Sequence, residues 1–165
     1  MKTPLLAAAL LTLATGPVLA AGTITVDYIQ PEKFTDVKER QFQTAPEKNA
    51  HLKNLKSWLE KEGAKHIADG QTLRLRILDI DLAGDFEPWN GPSFQDVRVL
   101  KDIYPPRIKL QFALQGGDGK VLSEGERELR NLSYLMDSSF ASRNALEHDE
   151  RMLKDWLRKE FPKPE

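Results

Sequence analysis

The 165-residue chain contains no cysteine, and this absence excludes disulfide bonds, thiolate metal sites and cysteine nucleophiles. It also lacks an excess of either charge, since 24 lysines and arginines stand against 25 aspartates and glutamates. A chain with this balance has no general electrostatic attraction to nucleic acid or anionic lipid, and no nucleic acid is expected as a partner. Hydrophobic residues make up 40% and charged residues 30%, which is typical of a folded globular protein.

Long apolar runs are also missing after the first twenty residues. Within residues 1–20, Lys2 precedes the apolar segment PLLAAALLTLATGPV. A glycine and a proline interrupt this segment before it reaches the about 20 apolar residues of a membrane span. Val18 and Ala20 supply small residues at the −3 and −1 positions of a cleavage site. The pattern predicts a signal peptide cleaved after Ala20, and a single exported domain over residues 21–165 without a membrane span.

Apolar periodicity in the remaining residues predicts the element order β-α-β-(β)-β-β-α. The predicted strands cover residues 23–29, 71–82, 107–115 and 120–130, with a short edge strand over 97–103. A capping box at Thr44–Glu47 opens the first helix and Asp69-Gly70 ends it, while Ser142 caps the second. The expected fold class is α+β: a two-layer sandwich with a mostly antiparallel sheet of about four or five strands and both helices on one face.

Alternation within two strands makes sharper predictions. In residues 71–82 the apolar positions change parity between Ile77 and Leu78, which predicts a β-bulge there or a strand end that runs past the helices. The strand over 107–115 alternates without interruption. Four of its side chains are expected to be buried on one face, namely Ile108, Leu110, Phe112 and Leu114.

Four acidic residues fall within nine positions, at Asp79, Asp81, Asp85 and Glu87. Carboxylates at this density resemble a calcium loop, in which Asp79 and Asp81 are weak metal candidates. The spacing departs from an EF-hand at its fifth and twelfth positions, and a strand precedes it. No metal or other cofactor is therefore expected.

The acidic segment has two further interpretations. Its carboxylates would serve a glycan hydrolase if an acid and a base lay at a defined separation, which sequence spacing does not supply. The favoured interpretation is structural, with Asp79 and Asp81 in cross-strand ion pairs. Their expected partners are Arg98, Lys101, Arg107 or Lys109.

The loop over residues 84–96 is rich in glycine and proline and carries Phe86, Trp89 and Phe94. Rigid aromatic residues on such a loop suit a partner-binding surface. The alternative is that they fold back to cover a face of the sheet. The candidate partner-contact residues are Asp85, Phe86, Glu87 and Trp89.

Several signatures of enzymes are missing. The three histidines do not form the His-Glu-x-x-His spacing of a zinc protease, and no serine lies in a Gly-x-Ser-x-Gly elbow. The glycine-rich segment at residues 116–119 is followed by a strand and has no phosphate-loop lysine, so it is interpreted as a hairpin turn. A non-enzymatic protein is favoured.

Five segments together resemble a family of small exported proteobacterial proteins known only as a domain of unknown function. The segments are Pro31–Asp36 (PEKFTD), Asp79–Pro88 (DIDLAGDFEP), Asp96–Val99 (DVRV), Tyr104–Lys109 (YPPRIK) and Leu132–Leu135 (LSYL). The resemblance implies a periplasmic location and no assigned catalytic residues.

These observations favour a binding or accessory module of the cell envelope, whose partner is a periplasmic protein or an envelope component. Two alternatives remain: a carboxylate-dependent hydrolase that acts on envelope glycan, and a calcium-stabilised structural domain.

Overall fold

Five consecutive strands lie between the two helices in a computed structural model that describes residues 21–39, 45–136 and 144–162. The elements are β1 Thr23–Tyr28, α1 Ala50–Gly63, β2 Thr72–Asp81, β3 Asp85–Phe86, β4 Arg98–Val99, β5 Arg107–Gln115, β6 Val121–Arg130 and α2 Glu147–Glu160. Four strands form one sheet in the order β1-β2-β5-β6, and β3 pairs with β4 in a separate two-residue ladder. The α+β class expected from the sequence is confirmed.

The sheet is mixed rather than wholly antiparallel. β1 runs parallel to β2 because α1 carries the chain back between them, whereas β2, β5 and β6 pair antiparallel. The short strand expected over residues 97–103 contributes only β4, which pairs with β3 and does not join the main sheet. The Arg98 side chain of β4 instead donates hydrogen bonds to Asp36 and to the Gly84 carbonyl.

Both helices pack against the same face of the sheet. α1 contacts β1, α2 contacts β6, and the two helices contact each other. The side chains of Ile108, Leu110 and Phe112 are buried beneath them and that of Leu114 is partly buried, so the predicted inward face of β5 is confirmed. Alternate residues point to the opposite face, which is largely polar and exposed to solvent. Each fully buried leucine or isoleucine in this layer contributes about 1.5–3 kcal/mol of hydrophobic stabilisation.

The helix ends differ from their predicted positions. Asn49 caps α1, because its Oδ1 accepts the Leu52 N–H at 3.0 Å while its Nδ2 donates to the Val37 carbonyl at 2.6 Å. A short 3₁₀ turn at Pro46–Lys48 therefore precedes the helix, and Thr44 of the predicted capping box lies outside the described residues. α1 ends at Gly63, earlier than the predicted stop at Asp69-Gly70. Ser142 also lies outside the described residues.

The predicted bulge in β2 is confirmed, since its register against β5 shifts between Ile77 and Asp79. The extra residue allows Ile80 to return to the buried face opposite Ile108, so the core continues past the irregularity. Asp79 consequently points to the open face beside Lys109. The bulge therefore directs the acidic end of β2 towards the loops that follow it.

Candidate functional site

The acidic end of β2 is held by one arginine and one threonine. Asp79 accepts hydrogen bonds from the Thr35 N–H and the Thr35 hydroxyl, both at 2.7 Å. Arg107 Nη2 lies 3.6 Å from a carboxylate oxygen of Asp79 and 3.6 Å from one of Asp81. The expected cross-strand ion pairing is thus confirmed for Arg107. The other three expected cations pair elsewhere: Arg98 with Asp36, Lys101 with Glu87 and Lys109 with Glu126.

A charged cleft of about 470 Å³ opens beside this cluster. Asp81 and Asp85 line it together with Arg107, Tyr104 and Glu128. Burial raises the pKa of the Asp81 carboxyl, and nearby aspartates raise it further, while the Arg107 guanidinium opposes both effects. The cleft therefore contains carboxylates and cations together, with one carboxyl that retains its proton to higher pH than usual.

Arg98 ties three segments together below the cleft. Its guanidinium donates to Asp36 Oδ2 at 3.0 Å, to the Gly84 carbonyl at 2.7 Å and to the Lys38 carbonyl at 3.0 Å. It also lies over the Phe86 ring, 4.8 Å from the centroid. Gly84 has φ +78°, and a Cβ there would approach the Val99 carbonyl oxygen to 2.7 Å, so the tight β3–β4 approach requires glycine.

Glu87 anchors the rest of the loop from the inside. Its side chain is 2% exposed and accepts from Lys101 Nζ at 2.6 Å, from the Tyr104 hydroxyl at 3.0 Å and from Asn90 Nδ2 at 2.6 Å. The Lys101 hydrogen bond, followed by those of Tyr104 and Asn90, lowers the pKa of Glu87. The carboxylate is satisfied within the loop and holds its backbone in one conformation.

Large apolar side chains are exposed where two connections meet, the one from β2 to β5 and the one from β6 to α2. The Tyr134 hydroxyl joins them by donating to the Lys101 carbonyl at 2.7 Å, and the Asn131 N–H donates to the Pro106 carbonyl at 3.3 Å. We call the exposed apolar residues of these connections the loop-end surface. Its members are Trp89, Val97, Leu100, Ile103, Leu132, Leu135 and Met136.

The loop-end surface collects seven of the nine large apolar side chains that are exposed among the described residues. The other two, Val121 and Leu122, lie beside the β5–β6 turn. Met136 is 89% exposed and Trp89 is 70% exposed, although the loops that carry them are tied down by buried polar groups. Single exposed apolar residues are ordinary on proteins, whereas a concentration of them on two joined connections is the kind of feature that a contact surface requires.

The four predicted contact residues divide into two pairs. Trp89 is exposed and Asp85 lines the cleft, so both are accessible. Phe86 and Glu87 are buried and position the loop from within. The apolar residues after β6 were not assigned to a site from the sequence, because Leu132, Leu135 and Met136 follow no strand or helix periodicity that would place them.

A buried carboxyl lies behind this end of the molecule. Asp149, in the first turn of α2, is completely buried, and neither of its carboxylate oxygens accepts a hydrogen bond from the described residues. Burial raises its pKa to about 7, and the positive charge of Arg98 partly offsets this effect. The adjacent His148 ring packs edge-on against the Tyr134 ring, with 4.8 Å between centroids. The start of α2 is therefore packed directly against the residue that joins the two connections.

The described part of the chain contains neither a metal-binding cluster of side chains nor a membrane-spanning helix. No three histidine, aspartate or glutamate side chains there are grouped so as to hold a metal ion. The weak metal candidates Asp79 and Asp81 are engaged by Thr35 and Arg107 instead. No helix among the same residues is both long enough and apolar enough to cross a membrane.

Comparison with known proteins adds a family relationship. Residues 22–159 match the model of a family described as "Protein of unknown function (DUF3016)". The five sequence segments resembled a family of unknown function, and this match confirms that the chain belongs to such a family. No curated protein and no solved structure matches the chain.

Proposed function

The chain belongs to the DUF3016 family, whose function is unknown, and from that premise we propose that it is a non-enzymatic binding module of the bacterial periplasm. In this proposal the loop-end surface contacts a partner protein of the cell envelope. The predicted signal peptide over residues 1–20 supports export.

The observation that carries the proposal is the exposure of apolar side chains on loops held in a single conformation. Arg98 and Glu87 bind the β2–β5 connection from the inside, and Tyr134 joins it to the next connection. A surface fixed in this way loses little conformational entropy when a partner binds. More of the free energy gained by burying apolar surface therefore appears as affinity. Trp89 is expected to contribute most to the binding free energy, because tryptophan is enriched among the residues that dominate it at interfaces.

The charges around the surface indicate the chemistry of the partner. Asp85, Asp96 and Asp102 belong to the same connection, and none has an ion pair within the described residues. The two cations of that connection are already paired, Arg98 with Asp36 and Lys101 with Glu87. The partner is therefore expected to present an apolar patch rimmed by lysine or arginine, because complementary rims accelerate association and exclude acidic competitors.

Photo-crosslinking tests this proposal directly. A photoreactive aromatic residue, which keeps a ring at the expected centre of binding, replaces Trp89 in cells that export the protein. Crosslinked products are compared between that chain and two variants of it. The double substitution Ile103→Ser with Leu132→Ser alters the loop-end surface, and Leu122→Ser is the matched control at another exposed apolar position.

We expect one discrete product that persists in the Leu122→Ser control and is lost in the double variant, with similar melting temperatures for all three. Loss of the product in the control as well, or its persistence in the double variant, would contradict the assignment of the surface. Recovery of the uncleaved protein from the cytoplasm would contradict the periplasmic location.

The cleft supports a second candidate, a carboxylate-dependent hydrolase of envelope glycan. Asp81 and Asp85 line one cavity, and burial keeps the Asp81 carboxyl protonated to higher pH than usual, as a general acid requires. Incubation with purified cell-wall glycan, followed by measurement of new reducing ends, tests this activity. Reducing ends that appear with the wild type and not with Asp81→Asn would establish the hydrolase, and equal background from both removes it.

A further inference from the structure

β6 forms an open edge of the main sheet. Its ten residues, Val121–Arg130, pair with β5 on one side only. Among the described residues, no backbone group outside β5 bonds to the other side of the strand between Leu122 and Arg130. An extended strand of ten residues spans roughly 33 Å and leaves alternate N–H and C=O groups available to another chain.

A groove runs beside this edge, on the face of the sheet that carries the helices. It measures about 420 Å³ and lies between β6 and α2, with Leu129, Met152 and Trp156 among its lining residues. Towards the β5–β6 turn, Arg127 and Glu160 join the strand to the helix by paired hydrogen bonds at 2.6 and 2.9 Å. The groove offers apolar contact at these three residues, and its other six lining residues are polar or charged, Asp155 and Lys159 among them.

The other face of the same edge carries three glutamates, followed at the end of the strand by Arg130. Glu124, Glu126 and Glu128 alternate along β6 and point to the open side of the sheet, since the residues between them face the helices. Lys109 lies 3.0 Å from Glu126, and Arg107 lies 3.8 Å from Glu128, so two carboxylates are partly neutralised. Glu124 has no ion pair among the described residues.

This acidic row determines which strand suits the edge. A second copy of β6 would bring glutamates close to glutamates, and like charges on adjacent strands destabilise pairing. A strand with lysine or arginine at alternate positions would place opposite charges beside all three carboxylates. The row therefore selects against self-association and in favour of a basic partner.

We propose that β6 and the adjoining groove bind an extended peptide segment of a partner protein by strand addition. Backbone hydrogen bonds to the open edge hold the segment, alternate basic side chains lie beside the glutamate row, and the intervening apolar side chains enter the groove. This inference goes beyond the proposed function, because it uses a different surface and does not depend on the loop-end surface.

Synthetic peptides test the strand geometry with the full exported chain. The probe is a fluorescent heptapeptide of alternating lysine and valine, measured by anisotropy against a peptide of the same composition with its lysines and valines in two blocks. Two further peptides carry N-methyl groups on either the lysines or the valines. In strand addition only one of these two sets of N–H groups faces β6, because successive residues point their N–H groups to opposite sides.

We expect the alternating peptide to bind about tenfold more tightly than the block peptide, and only one of the two N-methylated peptides to lose binding. Equal binding of the alternating and block peptides would show general charge attraction and would overturn the proposal. Equal effects of the two N-methylation patterns would show that the backbone edge is not used, with the same consequence.

A charge-reversal variant tests the location. Glu124→Lys is expected to weaken the alternating peptide by about fivefold, because it places a cation in the row that faces the peptide lysines. Glu32→Lys is the matched control, with the same change in net charge at an exposed residue of the Pro31–Lys33 turn. An equal loss in both variants would overturn the assignment to β6. A peptide that binds normally when the loop-end variants fail to crosslink would separate this inference from the proposed function.

Discussion

The Tyr134 hydroxyl donates a hydrogen bond to the Lys101 carbonyl at 2.7 Å, across 33 residues of sequence. The tyrosine is fully buried, and its ring also packs against His148 at the start of α2. One side chain therefore links both connections of the loop-end surface to the helical layer. This bond is the most direct reason to regard the surface as formed before any partner arrives.

Tyr134→Phe tests that link, since phenylalanine retains the ring and removes the hydroxyl. The loss of one partly buried hydrogen bond is expected to lower the free energy of unfolding by about 1 kcal/mol, measured in urea. Crosslinking from position 89 is expected to fall further than this loss of stability explains, because only the bond from the Asn131 N–H to the Pro106 carbonyl then joins the two connections among the hydrogen bonds described above.

A matched control exists at Tyr28, whose hydroxyl donates to the Leu52 carbonyl at the same distance of 2.7 Å. Tyr28→Phe should lower stability by a similar amount and leave crosslinking unchanged, because it lies between β1 and α1, away from the surface. If both tyrosine variants reduced crosslinking equally, the effect would be one of stability alone.

Phe112→Ala tests the packing of the two layers. The ring contacts Phe161 and Trp156 edge-on, with centroids 5.5 and 6.0 Å apart, and Arg127 lies over it. Gly125, opposite Phe112 on β6, leaves the room that this arginine needs. The substitution is expected to cost about 3–5 kcal/mol in urea denaturation, as truncation of a buried aromatic residue does. A loss under about 1 kcal/mol would contradict the burial of this face.

The sequence predicted those parts of the fold that depend on local pattern. The inward residues of β5 follow from alternation, and the bulge near Ile77 follows from a change of parity within one strand. The short range of these signals explains why they were sufficient. The prediction of a mostly antiparallel sheet is confirmed. The sequence did not predict that β1 would pair parallel to β2, because strand direction depends on where α1 returns the chain and not on the pattern within any strand.

The site depends on contacts that no local pattern encodes. Arg98 and its partner Asp36 are 62 residues apart, and Asp36 reaches the end of β2 through a parallel bridge to Asp81. Sequence reasoning placed Glu87 and Trp89 together as contact residues because they are neighbours on one loop. The structure buries the first and exposes the second, since the network around Lys101 turns them in opposite directions.

Replacement of Asp79 and Asp81 by asparagine tests the structural role of the acidic segment. Their shared partner Arg107 lies 3.6 Å from each and is partly exposed, so the double variant should change the free energy of unfolding by only about 0–2 kcal/mol. Saturating calcium should leave the melting temperature of the wild type unchanged. A calcium-dependent rise that disappears in the double variant would instead establish the calcium-stabilised domain, because a ligand of the native state stabilises it by mass action.

Processing of the amino terminus is tested by intact mass. The small residues at Val18 and Ala20 predict cleavage between Ala20 and Ala21. The protein recovered from the periplasmic fraction should therefore begin at Ala21. A full-length species retained in the membrane fraction would contradict this prediction.

Asp149→Asn tests the buried carboxyl at the start of α2 through the dependence of stability on pH. Burial raises the pKa of Asp149 from an ordinary value of 3.8 to about 7 in the folded protein, so the folded state binds this proton more tightly than the unfolded state. The stabilisation is complete below pH 4 and is lost as the pH rises towards 7, because ionisation then costs more in the folded state.

Asparagine has the same shape as aspartate and no charge to bury. The variant should therefore match the wild type near pH 4 and exceed it at pH 8 by on the order of a few kcal/mol, reduced by the lost attraction between a carboxylate and the helix N-terminus. Asp155→Asn, on a partly exposed position of the same helix, is the control for the removal of one carboxylate. Urea denaturation of the three proteins at intervals from pH 4 to pH 8 measures the effect, and a constant difference between Asp149→Asn and the wild type across that range would show that Asp149 does not titrate there.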